Sequence, residues 1–451
     1  MQFKITKGLN VPIKGEINSS LNENINTKKA ALLGDDYHGL KPTMLVHEGD
    51  SVIKGQPLFE DKKNPGVIFV SPATGKIIEI NRGDRRAFLS LVIEKDLENL
   101  EEVIFDPVSK KEDLNKENIL TLLKDSGCWT SFKTRPFSKI PKVDSIPNEI
   151  FISLIGTDPL NFNPEDYLKN HLEDFNFGLE VLSHIPKNFV HISTSLDSKL
   201  AKMESDKILY HEFEGPHPAG LVGTQIHNIA PVSLNNMVWT IGYQEVKMIG
   251  NLFKKGNLDF SRTIALCGPQ VKNPCLVETE VGASIEELIS EKEADGENRY
   301  ISGSVLCGKR SKDKTGYLGR FDTQVTCLRE ANKSDREFLN FLRPGLPKHS
   351  SLRVFLSKFN EKYLKLNYST AMNGADRAIV PIGLFEDIFP YNIMITQLLK
   401  SIVTNDTELA QQLGVLELDE EDLSLCTYSC PSKYDYGSLL REMLTKIEEE
   451  G

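Results

Sequence analysis

A multidomain α/β fold follows from three features of the sequence. Short apolar runs punctuated by Gly, Pro and Asp fill residues 41–93. Strand-like and helix-like segments alternate over 109–256, and the chain after Ala331 carries mostly helical patterning. At about 150 residues per domain, 451 residues hold about three domains. The composition shifts divide them into four: 1–108, 109–256, 257–335 and 336–451.

In the first unit the apolar runs at 44–46, 67–70, 76–80 and 89–93 predict strands. Gly49-Asp50 and Gly55 make the intervening turns, and Pro72 with Gly75 brackets the return hairpin. This arrangement resembles the barrel-sandwich fold of biotinyl and lipoyl domains, in which two quasi-repeats wrap round each other. Lys62, in FEDKKNPG, lies near the place where such domains present their modified lysine. The turn that follows, Lys63-Asn64-Pro65-Gly66, is of a different kind, so Lys62 reads as a solvated turn residue.

Residues 110–127 predict an amphipathic helix with Leu114, Ile119, Leu122 and Leu123 inward and Gly127 at its C-terminal cap. A proline-bracketed linker at 139–148 leads to strands at 149–156, 189–193 and 207–213, with helices at 165–172 and 233–250 between or after them. That alternation is Rossmann-like. Strands at 262–267 and 298–306 flank a short helix at 284–290, a pattern that suits a small β-grasp module. The C-terminal unit is helical, and its stretch 404–422 has seven acidic residues and no basic one.

Lys+Arg 53 against Asp+Glu 64 gives a net charge of −11, which disfavours nucleic acid and polybasic membrane binding. Mean hydropathy is −0.29, and no apolar run approaches the ~20 residues of a membrane span. The best candidate, 379–395, is broken by Pro381, Glu386, Asp387 and Pro390. The N-terminus lacks the apolar core of a signal peptide. Seven cysteines, an odd number, read as reduced thiols, and five of them stand alone. There is no GxGxxG, and Gly156-Thr157-Asp158-Pro159 offers too few glycines to cradle a dinucleotide. His211, His217 and His227, with Glu212 and Glu214, form a cluster, but Gly215-Pro216 and Pro218 impose a loop without helical ligand spacing, so no metal site is expected. Cys426 and Cys430-Pro431 match the end of a bacterial ferredoxin run. Leu423 and Glu420 stand where its first cysteines belong, so the pair reads as vestigial.

Stretches spread nearly end to end carry a further resemblance. They are KGLNVPIKG (7–15), ALLGDDYHGLKPTMLVHEGD (31–50), SPATGKIIEINRGDRR (71–86), WTSFKTRPFSKIP (129–141), GTDPLNFNP (156–164) and EGPHPAGLVGTQIH (214–227). The series continues with VWTIGYQEVKMIGNLF (238–253), GPQVKNP (268–274), NRYISGSVLCG (298–308) and CPSKYDYGSLLREMLTKIEEEG (430–451). Together they resemble the A-subunit family of bacterial Na+-translocating NADH:quinone reductases. The resemblance implies a barrel-sandwich domain, a Rossmann-like domain, a β-grasp (ubiquitin-like, SLBB) domain and a helical domain. It also implies a peripheral subunit on the cytoplasmic face of the bacterial inner membrane, with five partner subunits, B to F. The complex carries electrons from NADH through flavins and iron–sulfur centres to ubiquinone or menaquinone and exports Na+. The domain order is similar to that of the NADH-binding flavoprotein subunit of respiratory complex I and the C subunit of the Rnf complex. Those relatives carry a GxGGxxFP loop where this chain has Ser126-Gly127-Cys128-Trp129-Thr130-Ser131-Phe132. The chain is therefore expected to bind no redox cofactor and to contribute no catalytic residue. An independent NADH- or flavin-binding dehydrogenase, or a lipoyl- or biotin-type carrier, is the alternative; a flavin absorbance band or a lysine adduct in the intact mass distinguishes them.

A quinone headgroup needs flat apolar walls and hydrogen-bond donors for its carbonyls. Asp36-Tyr37-His38 and the segment from Trp129 to Phe137 supply that mixture, and the resemblance associates both regions with quinone and inhibitors. Tyr37 and His38 are expected as donors and Trp129, Phe132 and Phe137 as walls. Lys133 and Arg135 are expected to stabilise developing negative charge.

Overall fold

A computed structural model describes residues 1–108, 111–332 and 345–450, except 347, 352–353, 373 and 375–376. The barrel-sandwich is two small sheets. One orders Lys29–Leu33, Phe88–Lys95, Gly75–Arg82 and Ser51–Val52, the other Pro42–Met44, Pro57–Asp61 and Ile68–Val70, each antiparallel throughout. Leu58, Phe59, Val67, Ile77, Leu91 and Ile93 fill the space between them. Lys62 lies exposed on the turn after Pro57–Asp61, where the Asp61 carboxylate accepts from the Lys41 and Lys63 amides.

The α/β unit has a six-stranded sheet in the order Gln2–Lys4, Ile208–Glu214, Val190–Ser195, Ile150–Ser153, Val238–Thr240, Lys133–Arg135. Every neighbouring pair is parallel except the last. Its first strand comes from the extreme N-terminus. The next N-terminal strand, Asn18–Asn24, pairs with Cys275–Glu280 at the edge of the β-grasp sheet. The first residues of the chain therefore stitch two other sheets together before the barrel begins at Lys29. The helix expected over 110–127 runs over Lys116–Asp125, with the Asn115 side chain accepting from the Asn118 amide and Gly127 left-handed (φ 73°) just beyond it. Ile119 and Leu123 are fully buried.

Two expected helices are redrawn. The segment 233–250 is not one helix: Val238–Thr240 is a central strand, and the helix spans Tyr243–Lys255 between Gly242 and the left-handed Gly256. Val238, Trp239 and Thr240 are β-branched or aromatic residues flanked by a glycine, a strand signal that the longer helical periodicity masks. The helix expected at 165–172 splits into Pro164–Leu168 and Leu172–Ser183. The second of these packs on Tyr243–Lys255 at a distance that glycines permit. A Cβ at Gly250 would lie 1.7 Å from the Asp174 carbonyl oxygen, and one at Gly178 would lie 2.1 Å from that of Val246.

The β-grasp sheet orders Lys309–Ser311, Asn298–Ser302, Gln324–Arg329, Ser261–Cys267, Cys275–Glu280 and Asn18–Asn24, with the helix Ile285–Ile289 across it. In the C-terminal unit, expected to be helical after Ala331, residues 333–344 lie outside the described residues. Among the described residues 345–382 only the 3₁₀ stretch Leu356–Tyr363 is helical, and α-helices begin at Leu384. Leu384–Ile388, Ile395–Thr404, Thr407–Gln412, Ser424–Ser429 and Tyr436–Glu450 then enclose a core of their own around Leu398, Leu423 and Leu440. No helix among the described residues is long and apolar enough to cross a membrane.

Candidate functional site

The two segments singled out by sequence converge where the four units meet, yet they divide between a cleft, a core and an ionic latch. A narrow cleft, with room inside for about one water molecule (about 20 Å³), opens at the junction of the barrel, the α/β unit and the β-grasp unit. Asp36, Tyr37 and Phe69 reach it from the barrel, Thr130 and Met248 from the α/β unit, and Phe260 and Arg320 from the β-grasp side. Tyr37 sits edge-on to Phe69 (4.8 Å between centroids) and to Phe321 (5.9 Å), and burial holds its phenol protonated, above the ordinary range. Asp36 accepts a 2.8 Å hydrogen bond from the Arg320 amide. Burial raises its carboxyl to about 6 against the pull of Lys309. The Lys133 ammonium lies 3.8 Å from the centroid of Phe321, one ring away from Tyr37.

Trp129 and Phe132 are in the core. Both are fully buried, packed on Trp239 with ring centroids 5.3 Å away in each case, and the Trp129 indole donates to the Pro141 carbonyl at 2.9 Å. Neither presents a free face to the cleft, so the walls expected from them are interior packing of the α/β unit.

Arg135, His38 and Phe137 face the helical unit. Arg135 donates to Asp422 and to Glu421, each at 3.0 Å, and lies 3.3 Å from Asp419. Arg441, on the last helix, grips Asp419 (2.7 Å) and Glu420 (2.5 Å) and donates to the Phe137 carbonyl at 2.7 Å. His38 Nε2 is 3.4 Å from Glu420, and the Tyr391 hydroxyl donates to Asp422 at 2.8 Å. Asp419 and Asp422 also form a reciprocal capping box at the start of the turn that carries them. Arg135 cannot turn towards a quinone while three carboxylates hold it. His38, Asp419 and Glu420 form the one three-residue group among the described residues with metal-ligand spacing, but Arg441 already supplies the cation there.

Four carboxylates against two guanidiniums leave this latch short of positive charge, and protons make up the difference. Burial, with Asp419 adding to it against Arg441, raises Glu420 to about 7. Burial, with Asp422 and Asp419 adding to it against Arg135, raises Glu421 to about 8. Burial and Arg441 lower His38 to about 3. A carboxyl raised in the folded state binds more protons there than in the unfolded chain, so its contribution to stability is lost as pH rises through the folded value. The lowered histidine acts in the opposite sense, but only below about 6.5. The thermal midpoint is therefore expected to fall between about pH 6.5 and 8, and Glu421→Gln is expected to flatten that fall. A midpoint rising across this window would contradict the assignment.

The remaining histidine candidates are each engaged through at least one ring nitrogen, with His211 Nδ1 and His217 Nε2 left buried and without a hydrogen-bond partner. His211 Nε2 lies 2.9 Å from His191 Nδ1. His217 Nδ1 lies 3.2 Å from the Thr157 hydroxyl, and His227 pairs with Glu417 at 2.7 Å. His227 lies in the helix Val222–Ile229, which replaces the second half of the expected loop. Gly156 and Thr157 are closed over by Gly220, whose amide donates to Thr157 at 2.9 Å, so no phosphate cradle opens there. Cys426 and Cys430 are buried, Cys430 lies 3.3 Å from the Tyr436 hydroxyl, and burial keeps the Cys426 thiol protonated. Leu423 is fully buried where a further thiolate would be required. The two buried thiols supply two of the four ligands that an iron–sulfur cluster needs. Sequence reasoning missed Arg320, Trp239 and Arg441. Only the last had a signal, since an acidic run with no bases of its own needs them from elsewhere.

Three family models match along the chain. The NqrA N-terminal barrel-sandwich hybrid domain matches 3–96, the NqrA second alpha/beta domain 114–258, and the NQRA C-terminal domain 263–313. Among relatives, the A subunit of the Na(+)-translocating NADH-quinone reductase of Marinomonas sp. (strain MWYL1) is 46% identical over 449 residues, covering 100% of both chains. Those of Yersinia pestis and Haemophilus influenzae are 47% and 45% identical, covering 100% and 99% of both chains. Among solved structures, an air-oxidized NAD+-reducing [NiFe]-hydrogenase is 11% identical over 75% of this chain and 63% of that one, with a TM-score of 0.35. With three family domains in order and 45–47% identity from end to end, the chain belongs to the A-subunit family of Na(+)-translocating NADH-quinone reductases.

Proposed function

We propose that this chain is the peripheral A subunit of a Na+-translocating NADH:quinone reductase, docked on the cytoplasmic face of the inner membrane against subunits B to F. It holds no redox cofactor of its own and borders the quinone, ubiquinone or menaquinone, at the cleft beside Tyr37. The end-to-end likeness to subunits of that name carries the assignment to the complex. Three features support the cofactor-free reading: Trp129 in the place of a glycine loop, the closed turn at Gly156, and Leu423 beside a two-cysteine remnant. The quinone reading rests on what meets at this domain junction, the Tyr37 phenol, the Ser126 and Thr130 hydroxyls, the Asp36 carboxyl and the Arg320 guanidinium among apolar walls, and it requires the narrow cleft to widen in the assembled complex. The division into units at 1–108, 109–256, 257–335 and 336–451 belongs to the same proposal. The two N-terminal strands then serve as ties between units.

In the assembled complex, Tyr37→Phe removes one donor without changing shape, and Lys133→Ala removes the cation behind Phe321. Each is expected to raise the apparent KM for quinone by about two- to tenfold, the worth of one hydrogen bond or cation–π contact. Quinone titration measures this, with ferricyanide reduction as the gauge of intact electron entry. Unchanged KM and inhibitor sensitivity in both variants would place the quinone wholly in the partner subunits.

A further inference from the structure

One solvent-facing stretch gathers large apolar side chains away from both the cleft and the latch. Leu346, Val354, Leu356, Phe359 and Tyr363 are all exposed, Phe359 at 79% and Tyr363 at 74%. Leu356 and Phe359 stand three residues apart on the 3₁₀ stretch Leu356–Tyr363, where such side chains eclipse, so they share a face. Leu346 and Val354 lie beside them because Gly345 sits against Phe355, where a Cβ would meet the ring at 2.3 Å. The Ser357 hydroxyl, donating to the Lys348 carbonyl, closes the same loop. The backbone that displays them is tied down on both sides. His349 Nδ1 lies 2.9 Å from the Tyr428 hydroxyl, the Ser351 and Ser429 hydroxyls are 2.9 Å apart, and the Leu366 amide donates to the Pro12 carbonyl at 2.9 Å. Apolar side chains held together on an anchored surface mark a contact site.

The charge around them selects the partner. Residues 345–366 hold five basic residues and one acid, in a chain whose 64 acids outnumber its 53 bases. Lys358 lies over the Phe359 ring, 5.1 Å from its centroid, with no carboxylate paired to it among the described residues, while Lys365 pairs with Glu16. A protein partner matches this poorly. Lysine is depleted from protein interfaces, and the cytoplasmic loops of membrane proteins are themselves rich in Lys and Arg. The headgroup layer of an anionic bilayer matches it well, with rings and aliphatic groups at the acyl boundary and lysines reaching to the phosphates.

Resting on the peripheral-subunit reading above, we propose that the face formed by Leu346, Val354, Leu356, Phe359 and Tyr363 lies on the bilayer, with Lys358 among the headgroups of anionic phospholipids. The net charge of −11 disfavours such contact for the chain as a whole, and this stretch is the local exception. It gives the subunit a hold on the membrane besides its protein contacts.

The test sediments the full chain with vesicles of phosphatidylcholine, with and without phosphatidylglycerol. The parent is expected to bind the mixed vesicles about tenfold more tightly than the neutral ones and to leave them as salt is raised. Lys358→Glu, and the double variant Phe359→Ser with Tyr363→Ser, are each expected to lower partition onto the mixed vesicles about tenfold. The thermal midpoint should stay in place, because these exposed side chains support no core. If the double variant lowers the midpoint, Lys358→Gln and Lys358→Glu read the charge alone: a graded loss supports the proposal, and no loss overturns it. Parent binding that is absent, equal on both vesicles or unchanged in the variants also overturns it. The peripheral reading survives that result if the chain still assembles with subunits B to F in an uncharged detergent, and falls if the parent does not assemble. Assembly lost in the variants, with vesicle binding absent, overturns the lipid contact and makes the face a protein interface.

Discussion

Arg135→Met is expected to lose about 3–5 kcal/mol of stability, the cost of stripping one partner from a buried ionic group. Arg135 is 2% exposed, and the side chain of Asp422 opposite it is completely enclosed. In the variant the Asp422 carboxylate keeps only the Tyr391 hydroxyl and its own capping bond to the Asp419 amide. It must then stay charged without a cation or take up a proton and lose its strongest acceptor bonds. Urea unfolding should show a lowered midpoint, and limited proteolysis should cut the chain between the α/β and helical units before either unit melts. Arg135→Lys is expected to fall between, since it restores the charge but cannot reach Asp422 and Glu421 together. A loss under about 1 kcal/mol, the range of exposed ion pairs, would mean that water already screens the latch.

How much of this was legible in the sequence differs from unit to unit, for physical reasons. The barrel was readable because Gly, Pro and Asp punctuate each run and the core positions Leu58, Phe59, Leu91 and Ile93 are large and apolar. The strands Gln2–Lys4 and Asn18–Asn24 were not. They are short and polar, and their pairing with Glu212–Glu214 and with Cys275–Glu280 is fixed by partners more than 200 residues away. The segment 233–250 failed because a three-residue strand and a helix abut across Gly242, so that helical periodicity averaged over both. Propensity gives way to tertiary pairing at such places.

The site was half legible. Asp36 and Tyr37 stood out as polar and aromatic groups in one turn, and both line the cleft. Arg320 gave no local signal. Its neighbours Gly319 and Phe321 form no motif, and the unpartnered Nε that marks it shows only in the packed structure. The acidic run ending at Asp422 reads as a solvated surface until Arg135 and Arg441 arrive from other parts of the chain. Chemistry assembled from three domains has no sequence spacing to betray it.

Aromatic residues carry the same ambiguity, and Phe132→Ala resolves it by experiment. As the wall of a quinone slot, Phe132 could be truncated with a moderate change in affinity and little loss of fold. As part of the interior it could not. The ring is fully buried, tilted on Trp239 at 5.3 Å and edge-on to Trp129 at 6.0 Å, and Trp129 itself packs on Trp239. Truncating a buried phenylalanine removes its transfer energy and leaves a cavity, and rigid indoles on two sides cannot collapse into that space. The expected loss is about 3–5 kcal/mol, read as a lowered urea midpoint in the isolated chain and a reduced yield of assembled complex. The complexes that do assemble should show the quinone KM of the parent, because the ring reaches no part of the cleft that Tyr37 and Arg320 line. A stable Phe132→Ala protein with a raised KM would reverse the assignment and return this ring to the quinone.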